Sequence, residues 1–328
     1  MPFWLATFAV RVPSPTASAA QSDLVAAFRR RIAEVNDLSA LGGEALVPLV
    51  VDGARVGELR ASLASELGER WPDVFRRDPD RDVLALAPSL SDADARTAAV
   101  AGVTAALRDD GTFSKGWRDE LCAVGAAFDA PPAFSIERAC YPAFGVKGYG
   151  IHVNAFCVDP LTGERQLWVA TRSRQKSTWP GMLDNLVAGQ QPAELSLYQN
   201  VVKEAGEEAG IPEEIARRAK SVGVCSYRGV DEWDQLKNDV LFCYDLELPW
   251  DFEPIAVDGE VEGFERWDLE RVAAAVATGA NNAIGEFTSY KPNCNLVVID
   301  FLVRIGWLSA DAPGYLQLVD ELRQGDCR

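Results

Sequence analysis

Histidine occurs once in the 328 residues, at His152, so no mechanism that needs several histidine metal ligands can be assembled from this chain. The seven cysteines are odd in number and include no Cys-x-x-Cys pair, which excludes a disulfide framework and a zinc ribbon alike. Apolar runs are short. Residues 3–10, interrupted by Thr7, fall far below the ~20 residues of a membrane span, so the expectation is a soluble protein without a membrane partner. Positive charge is the scarcer sign: 32 Lys and Arg against 49 Asp and Glu leave a net charge of −17. Such a field repels phosphate backbones and anionic lipid, and nucleic acid is not an expected partner. What the chain has in quantity is apolar residues, at 48%, enough to bury a sizeable core. At about 150 residues per domain the length implies about two domains.

Residues 1–22 carry no acid and a single base, Arg11, within a Pro/Ser/Thr/Ala-rich stretch. They read as a flexible or targeting segment, so the expected location is cytoplasmic, or organellar (plastid or mitochondrion) where the segment acts as a transit peptide. Residues 23–135 read as a small α+β domain. Apolar positions spaced three and four apart (Leu24, Val25, Phe28, Ile32, Val35) predict a helix over 24–35. Two strand-like runs, 45–51 and 56–60, flank Asp52-Gly53, a dipeptide suited to a tight hairpin turn. Helices are expected over 62–69 and 91–108, the second with a serine at its N-cap. A break is expected at Ala130-Pro131-Pro132. Beyond it, within 136–328, strands are expected at 149–158, 167–171, 221–227, 240–246 and 261–267. Helices are expected at 193–209, 269–276 and 295–305. Strands around a central helix, with further helices behind, predict an α/β/α sandwich on a mixed sheet.

The segment with chemistry in it is the helix ending near residue 209. Glu204 lies three residues before Glu207 and four before Glu208, which places the three carboxylates on one side of a helix. Crowded carboxylates repel one another, and a divalent cation such as Mg²⁺ neutralises them. The plain alternative is a solvated acidic face. The neighbours decide between the two. Gly189, Glu204, Ala205, Glu207, Glu208, Gly210 and Ile211 fall at the spacing of the Nudix box, a loop–helix–loop that binds metal and diphosphate, and the stretch resembles it. Two positions depart from that pattern: its first Glu falls on Leu195, with Glu194 one residue early, and its Arg falls on Lys203.

The resemblance implies a Nudix α/β/α sandwich behind a small α+β N-terminal domain. It implies Mg²⁺, with Mn²⁺ as a substitute, held by Glu204, Glu207 and Glu208 together with Glu260 or Glu262, which alternate on a later strand. Gly189 would lead the diphosphate loop. One glutamate would take the proton of the attacking water, Glu207 being favoured. Because the net charge repels an anionic substrate, local cations must compensate, and Arg172, Arg174 and Lys176 are the candidates for phosphate contacts, with Lys147 a weaker one. Residues 71–75, 116–121, 148–154, 237–247 and 291–301 are similar to the Nudix branch related to the hydrolase half of fungal thiamine pyrophosphokinase fusions and to plant Nudix proteins. That likeness implies hydrolysis of oxidised, damaged thiamine diphosphate to the monophosphate. A lone strand histidine is commonly a hydrogen-bonded structural residue, but His152 and Asn154 match a His-x-Asn of this branch, which implies a contact to the substrate ring. Trp179, Tyr227, Trp233 and Tyr290 are the aromatics available for stacking. Hydrolysis of nucleoside diphosphate-linked substrates and a non-catalytic ligand sensor remain the competing functions. The N-terminal domain is expected to shape the pocket, to form a homodimer, or both.

Overall fold

A computed structural model describes residues 17–113, 116–231, 235–279 and 289–327. Helix α1 (Ala17–Val35) leads into strands β1 (Leu46–Val51) and β2 (Ala54–Arg60), helix α2 (Ala61–Arg70), strands β3 (Phe75–Asp78) and β4 (Val83–Leu86), helix α3 (Ala93–Asp109) and the hairpin β5 (Leu121–Val124) and β6 (Phe134–Glu137). There follow β7 (Gly148–Val158), β8 (Arg165–Arg172), β9 (Leu183–Asp184), β10 (Val187–Gln190), α4 (Leu197–Ala209), the single turn α5 (Glu213–Ala216), β11 (Lys220–Val230), β12 (Leu236–Glu247), β13 (Val261–Asp268), α6 (Leu269–Thr278), α7 (Pro292–Arg304) and α8 (Tyr315–Glu321).

The first sheet has strand order β2-β1-β4-β3. Its β1–β2 turn places Asp52 and Gly53 at φ 50° and 83°, the left-handed pair that a two-residue hairpin with the twist of its strands requires. Helix α3 is capped one residue later than the sequence suggested: the Asp92 carboxylate accepts from the Ala95 N–H at 2.8 Å, and Ser91 does not cap it. Pro131 and Pro132 sit inside the β5–β6 hairpin loop, not between domains. Phe134, Ile136, Phe144 and Val146 all join the core of the first sheet, so the chain leaves that core only at β7.

The second sheet runs β11-β12-β7-β8-β13, with β10 paired to β7 and β9 to β8. β12 and β7 are parallel and the other pairs antiparallel, the mixed sheet expected. Val201, Ala205 and Ala209 of α4 pack on one face. α6, α7 and α1 cover the other, which completes the three layers. Helix α1 differs from the expectation in its partner. Its buried Val25, Phe28, Ile32 and Val35 join the core formed with α6, α7 and α8, not that of the first sheet. Arg29 seals the contact, its Nε and Nη2 donating to Glu321 at 2.9 and 2.5 Å. Truncating Phe28, which is fully buried, to Ala should therefore destabilise the C-terminal half by about 3–5 kcal/mol. Thermal unfolding of the full chain measures it, and a loss below about 1 kcal/mol would show that α1 does not belong to this core.

Candidate active site

Helix α4 carries the acidic triplet and is fixed at both ends. The Ser196 hydroxyl accepts from Gln199 N–H at 3.2 Å while Gln199 Oε1 accepts from Ser196 N–H at 2.9 Å, a capping box. Gly210, at φ 60°, stops the helix in a left-handed turn. The cap lies at 196, so the helix starts three to four residues later than expected.

Glu208 is buried, its Oε2 accepting from Ala188 N–H at 3.1 Å. Burial raises its pKa well above the usual carboxylate value, the Ala188 bond offsetting part of the effect while Asp184, Glu204 and Glu260 add to it. Glu204 is raised for the same first reason, with Lys203 acting in opposition from 3.2 Å off Oε1. Strand β10 passes directly beneath. A Cβ on Gly189 would lie 2.7 Å from Glu204 Cγ and Cδ, so only glycine lets strand and glutamate approach this closely. Glu260, just before β13, is also partly buried; there burial pushes its pKa up, but the Lys176 ammonium at 2.6 Å, with the Arg172 and Arg138 charges, prevails and lowers it. Glu204, Glu208, Glu260 and Gly189 are thus gathered in one place. Glu207 is more than half exposed and held by Lys203 at 2.7 Å, its charge reaching the group through Glu204, which shares that lysine. Glu262 turns outward to the backbone N–H of Arg174 at 2.9 Å.

Three mutually repelling carboxylates, two of them pushed toward the protonated form, match the donor chemistry of a hard divalent cation. Their oxygens are not drawn into one group within 4.8 Å of one another. Among the described residues two other sets of ligand atoms do lie that close, His152–Asp184–Cys294 and Cys225–Cys243–Asp300. Both already contain cations. Arg172 Nη1 sits 2.6 Å from Asp184 Oδ2, and Arg304 and Arg323 reach Asp300 at 2.6 and 2.8 Å.

Beside the glutamates opens a cavity of about 480 Å³ between the two halves of the chain. The N-terminal half supplies Arg118, Arg138 and Tyr141 to its wall, the C-terminal half His152, Glu260 and Lys291. Ala188 and Gly189 form part of its lining, with Glu208 and Glu204 on them from behind. Deeper in, Asp239 accepts from Tyr227 Oη at 2.6 Å and Tyr141 Oη at 3.3 Å. Burial first and the Asp239 charge second push both phenols' pKa up, so they stay donors.

The expected phosphate cations separate. Lys176 lines the cavity. Arg172 lines it too, but its guanidinium is committed to Asp184, to Trp179 O at 3.1 Å and to Thr178 O at 3.1 Å, which makes it a brace for the loop and not a free anion receptor. Arg174 pairs with Glu262 at 3.9 Å, and Lys147 faces a second cavity, 3.1 Å from Asp326. Of the aromatics, Trp179 and Tyr227 line the main cavity, Tyr290 is sealed in the core, and Trp233 lies outside the described residues. His152 and Asn154 are buried and linked through Asn185. Lys291, Arg138 and Asp239 are not among the candidates named from the sequence, although Asp239 and Lys291 lie in the segments 237–247 and 291–301. Within its segment Lys291 reads as the lead-in to a helix, and all three acquire a place in the cavity wall only when the halves meet.

A model of a domain of unknown function (DUF4743) matches residues 27–148, and the NUDIX domain model matches residues 150–288. The chain is similar to "Nudix hydrolase 20, chloroplastic" of Arabidopsis thaliana, 42% identical over 93% of this chain and 80% of that protein. It is equally similar, at 42%, to "Nudix hydrolase 24, chloroplastic" of the same plant, over 86% of this chain and 73% of that one. Among solved structures it is similar to the NUDIX domain of Shewanella oneidensis NrtR complexed with ADP ribose, 13% identical with a TM-score of 0.37, over 52% of this chain and 99% of that one.

Proposed function

The chain belongs to the Nudix family and is a Nudix-type hydrolase, and within that family we propose that it is a Mg²⁺-dependent diphosphatase that converts oxidised, damaged thiamine diphosphate to the monophosphate and orthophosphate. One observation carries the substrate reading. Four of the segments similar to the thiamine-linked branch lie far apart in sequence yet meet on one cavity: Arg118 comes from 116–121, His152 from 148–154, Asp239 from 237–247 and Lys291 from 291–301. The cavity's volume suits a small heterocyclic ligand.

Glu204, Glu208 and Glu260 would hold the ion. When bound, Mg²⁺ supplies charge neutralisation of the diphosphate and a more acidic water. The protein's own groups do the rest. Lys291 sets positive charge on the wall where a negative field would otherwise repel the substrate, and Lys176, paired with Glu260 at 2.6 Å, would add to it where the ion takes Glu260. A carboxylate oxygen of this group not committed to the ion takes the water's proton, and Glu204 Oε2 is the candidate because Lys203 ties only Oε1. The new bond joins water oxygen to the terminal phosphorus and the bond that breaks is the phosphoanhydride, leaving the monophosphate. Plastid location belongs to the same proposal, supported by the chloroplastic names of both plant relatives.

The discriminating experiment compares kcat/KM for oxidised thiamine diphosphate, thiamine diphosphate, ADP-ribose and a nucleoside diphosphate sugar. The oxidised thiamine compound should rank first, by at least about tenfold. A higher value for ADP-ribose or the sugar nucleotide would transfer the assignment to nucleoside diphosphate-linked substrates, and no turnover of any of them would favour the sensor.

A further inference from the structure

Beyond the carboxylates, we infer that His152 is a specificity-determining residue that presents Nε2 to the cavity as a hydrogen-bond acceptor for an N–H donor on the substrate's head group. The inference rests on reading this cavity as the head-group site. It comes from the polarity of a buried chain of hydrogen bonds whose far end is fixed. The backbone carbonyl of Val297, in α7, can only accept, so the Asn154 amide facing it at 3.4 Å must present Nδ2. Asn154 Oδ1 then accepts from Asn185 Nδ2 at 2.9 Å. Asn185 is left with Oδ1 toward His152 Nδ1, also at 2.9 Å, and because that oxygen only accepts, Nδ1 must carry the hydrogen. A neutral imidazole protonated at Nδ1 has a lone pair at Nε2. No described residue donates to that nitrogen, and His152 is one of the residues that line the cavity.

The surroundings keep the ring in this state. Burial first and the Lys291 ammonium second lower the pKa of His152 to about 4, against Asp184, Asn185 and Asp239, so the ring is neutral at physiological pH. An imidazolium would have attracted a phosphate. A neutral Nε2 lone pair repels one and discriminates instead between a head group that offers N–H and one that does not, and a buried acceptor left unpaired disfavours the wrong ligand. His152 lies on β7 opposite Ala188, the residue whose N–H anchors Glu208. The same strand pair therefore sets the head-group reader against the catalytic carboxylates.

The single histidine makes the test unambiguous. The full chain, free of any histidine tag and labelled with ¹⁵N-histidine, should show one imidazole in a long-range ¹H–¹⁵N spectrum, with a pyrrole-type Nδ1 and a pyridine-type Nε2 that do not titrate between pH 6 and 8. With Ca²⁺ in place of Mg²⁺ to slow turnover, oxidised thiamine diphosphate or ADP-ribose should shift Nε2, whereas inorganic pyrophosphate, which has no head group, should not. A response to ADP-ribose alone would retain this role for His152 and overturn the thiamine reading. An Nε2-protonated or charged ring, a response to pyrophosphate, or no response to either headed probe would overturn the inference itself. In kinetics, His152→Phe should raise KM at least about tenfold with little change in kcat, and His152→Gln, which keeps an acceptor, should recover most of the loss. Equal losses in both variants would mark a packing role only.

Discussion

Replacing Glu208 by Gln should lower kcat for diphosphate hydrolysis about a thousandfold and, in metal-free buffer, make the protein more stable than wild type. Both effects come from the same cause. Glu208 is buried, and the site concentrates negative charge on it from Glu204, Glu260 and Asp184. Its carboxylate form is costly without a cation and is what a cation would bind. Gln removes the charge while its carbonyl keeps an acceptor for the Ala188 N–H. The pH dependence has a definite sign. A group whose folded pKa is raised stabilises the fold fully below its unfolded pKa, near 4.5, and that stabilisation is lost as pH rises through the folded value. In EDTA the variant's advantage should therefore be absent near pH 4 and grow toward neutrality. Each kcal/mol of charging cost should appear as about 2–4 °C in Tm. Mg²⁺ should reverse the order at pH 7.5, because an ion bound only by the native state stabilises wild type more. If Glu208→Gln retains more than about a tenth of the activity, the carboxylate is not part of the working site. Glu207→Gln, outside the gathered group, should cost far less.

Asp184→Ala should destabilise the protein by about 3–5 kcal/mol, the cost of leaving a buried charge without its partner. Asp184 is almost sealed from solvent. It accepts from Arg172 Nη1 at 2.6 Å, from the Cys294 thiol at 2.7 Å and from its neighbour Asn185 N–H at 2.8 Å. Burial alone would raise its pKa, but the Lys291 and Arg172 charges prevail and hold it at about 2. Its stabilisation is accordingly present above the unfolded carboxylate value, near 4, and lost as pH falls toward 2. Deleting it leaves Arg172 and Lys291, both in the wall of the cavity, without the negative charge on which both act. Replacing both Arg172 and Asp184 by apolar residues of similar size should cost less than removing Asp184 alone, a non-additivity that a double-mutant cycle in denaturant would measure. A loss below about 1 kcal/mol for Asp184→Ala would mean that the pair does not support the site.

The physical reason some of this was legible in the sequence, and some was not, shows in particular residues. Asp52-Gly53 sets a hairpin through local sterics, and β7 alternates Ile151, Val153 and Ala155 with His152, Asn154 and Phe156, so both could be read without a partner. The triplet of α4 was legible as a cluster but not as a geometry. At 3.6 residues per turn Glu208 is about 40° around the helix from Glu204 on one side and Glu207 about 60° on the other, and only the course of β10 decides which of them is covered. Arg172 looked like a free cation at a strand end because nothing in the sequence shows that the chain returns, twelve residues on, to place Asp184 against it. The apolar stripe of α1 predicted a buried face correctly, while its partners lie more than 230 residues away in α6, α7 and α8. The cavity itself is beyond sequence reasoning, since each half supplies only part of its wall.

Orthophosphate release from oxidised thiamine diphosphate by the full chain, in Mg²⁺ and again after EDTA, is the most direct measurement. Equal amounts of thiamine-derived monophosphate and orthophosphate should form in Mg²⁺, stop in EDTA and resume when Mg²⁺ is restored. No release in Mg²⁺, or release that EDTA leaves unchanged, would contradict a site in which Glu204, Glu208 and Glu260 work through a divalent ion.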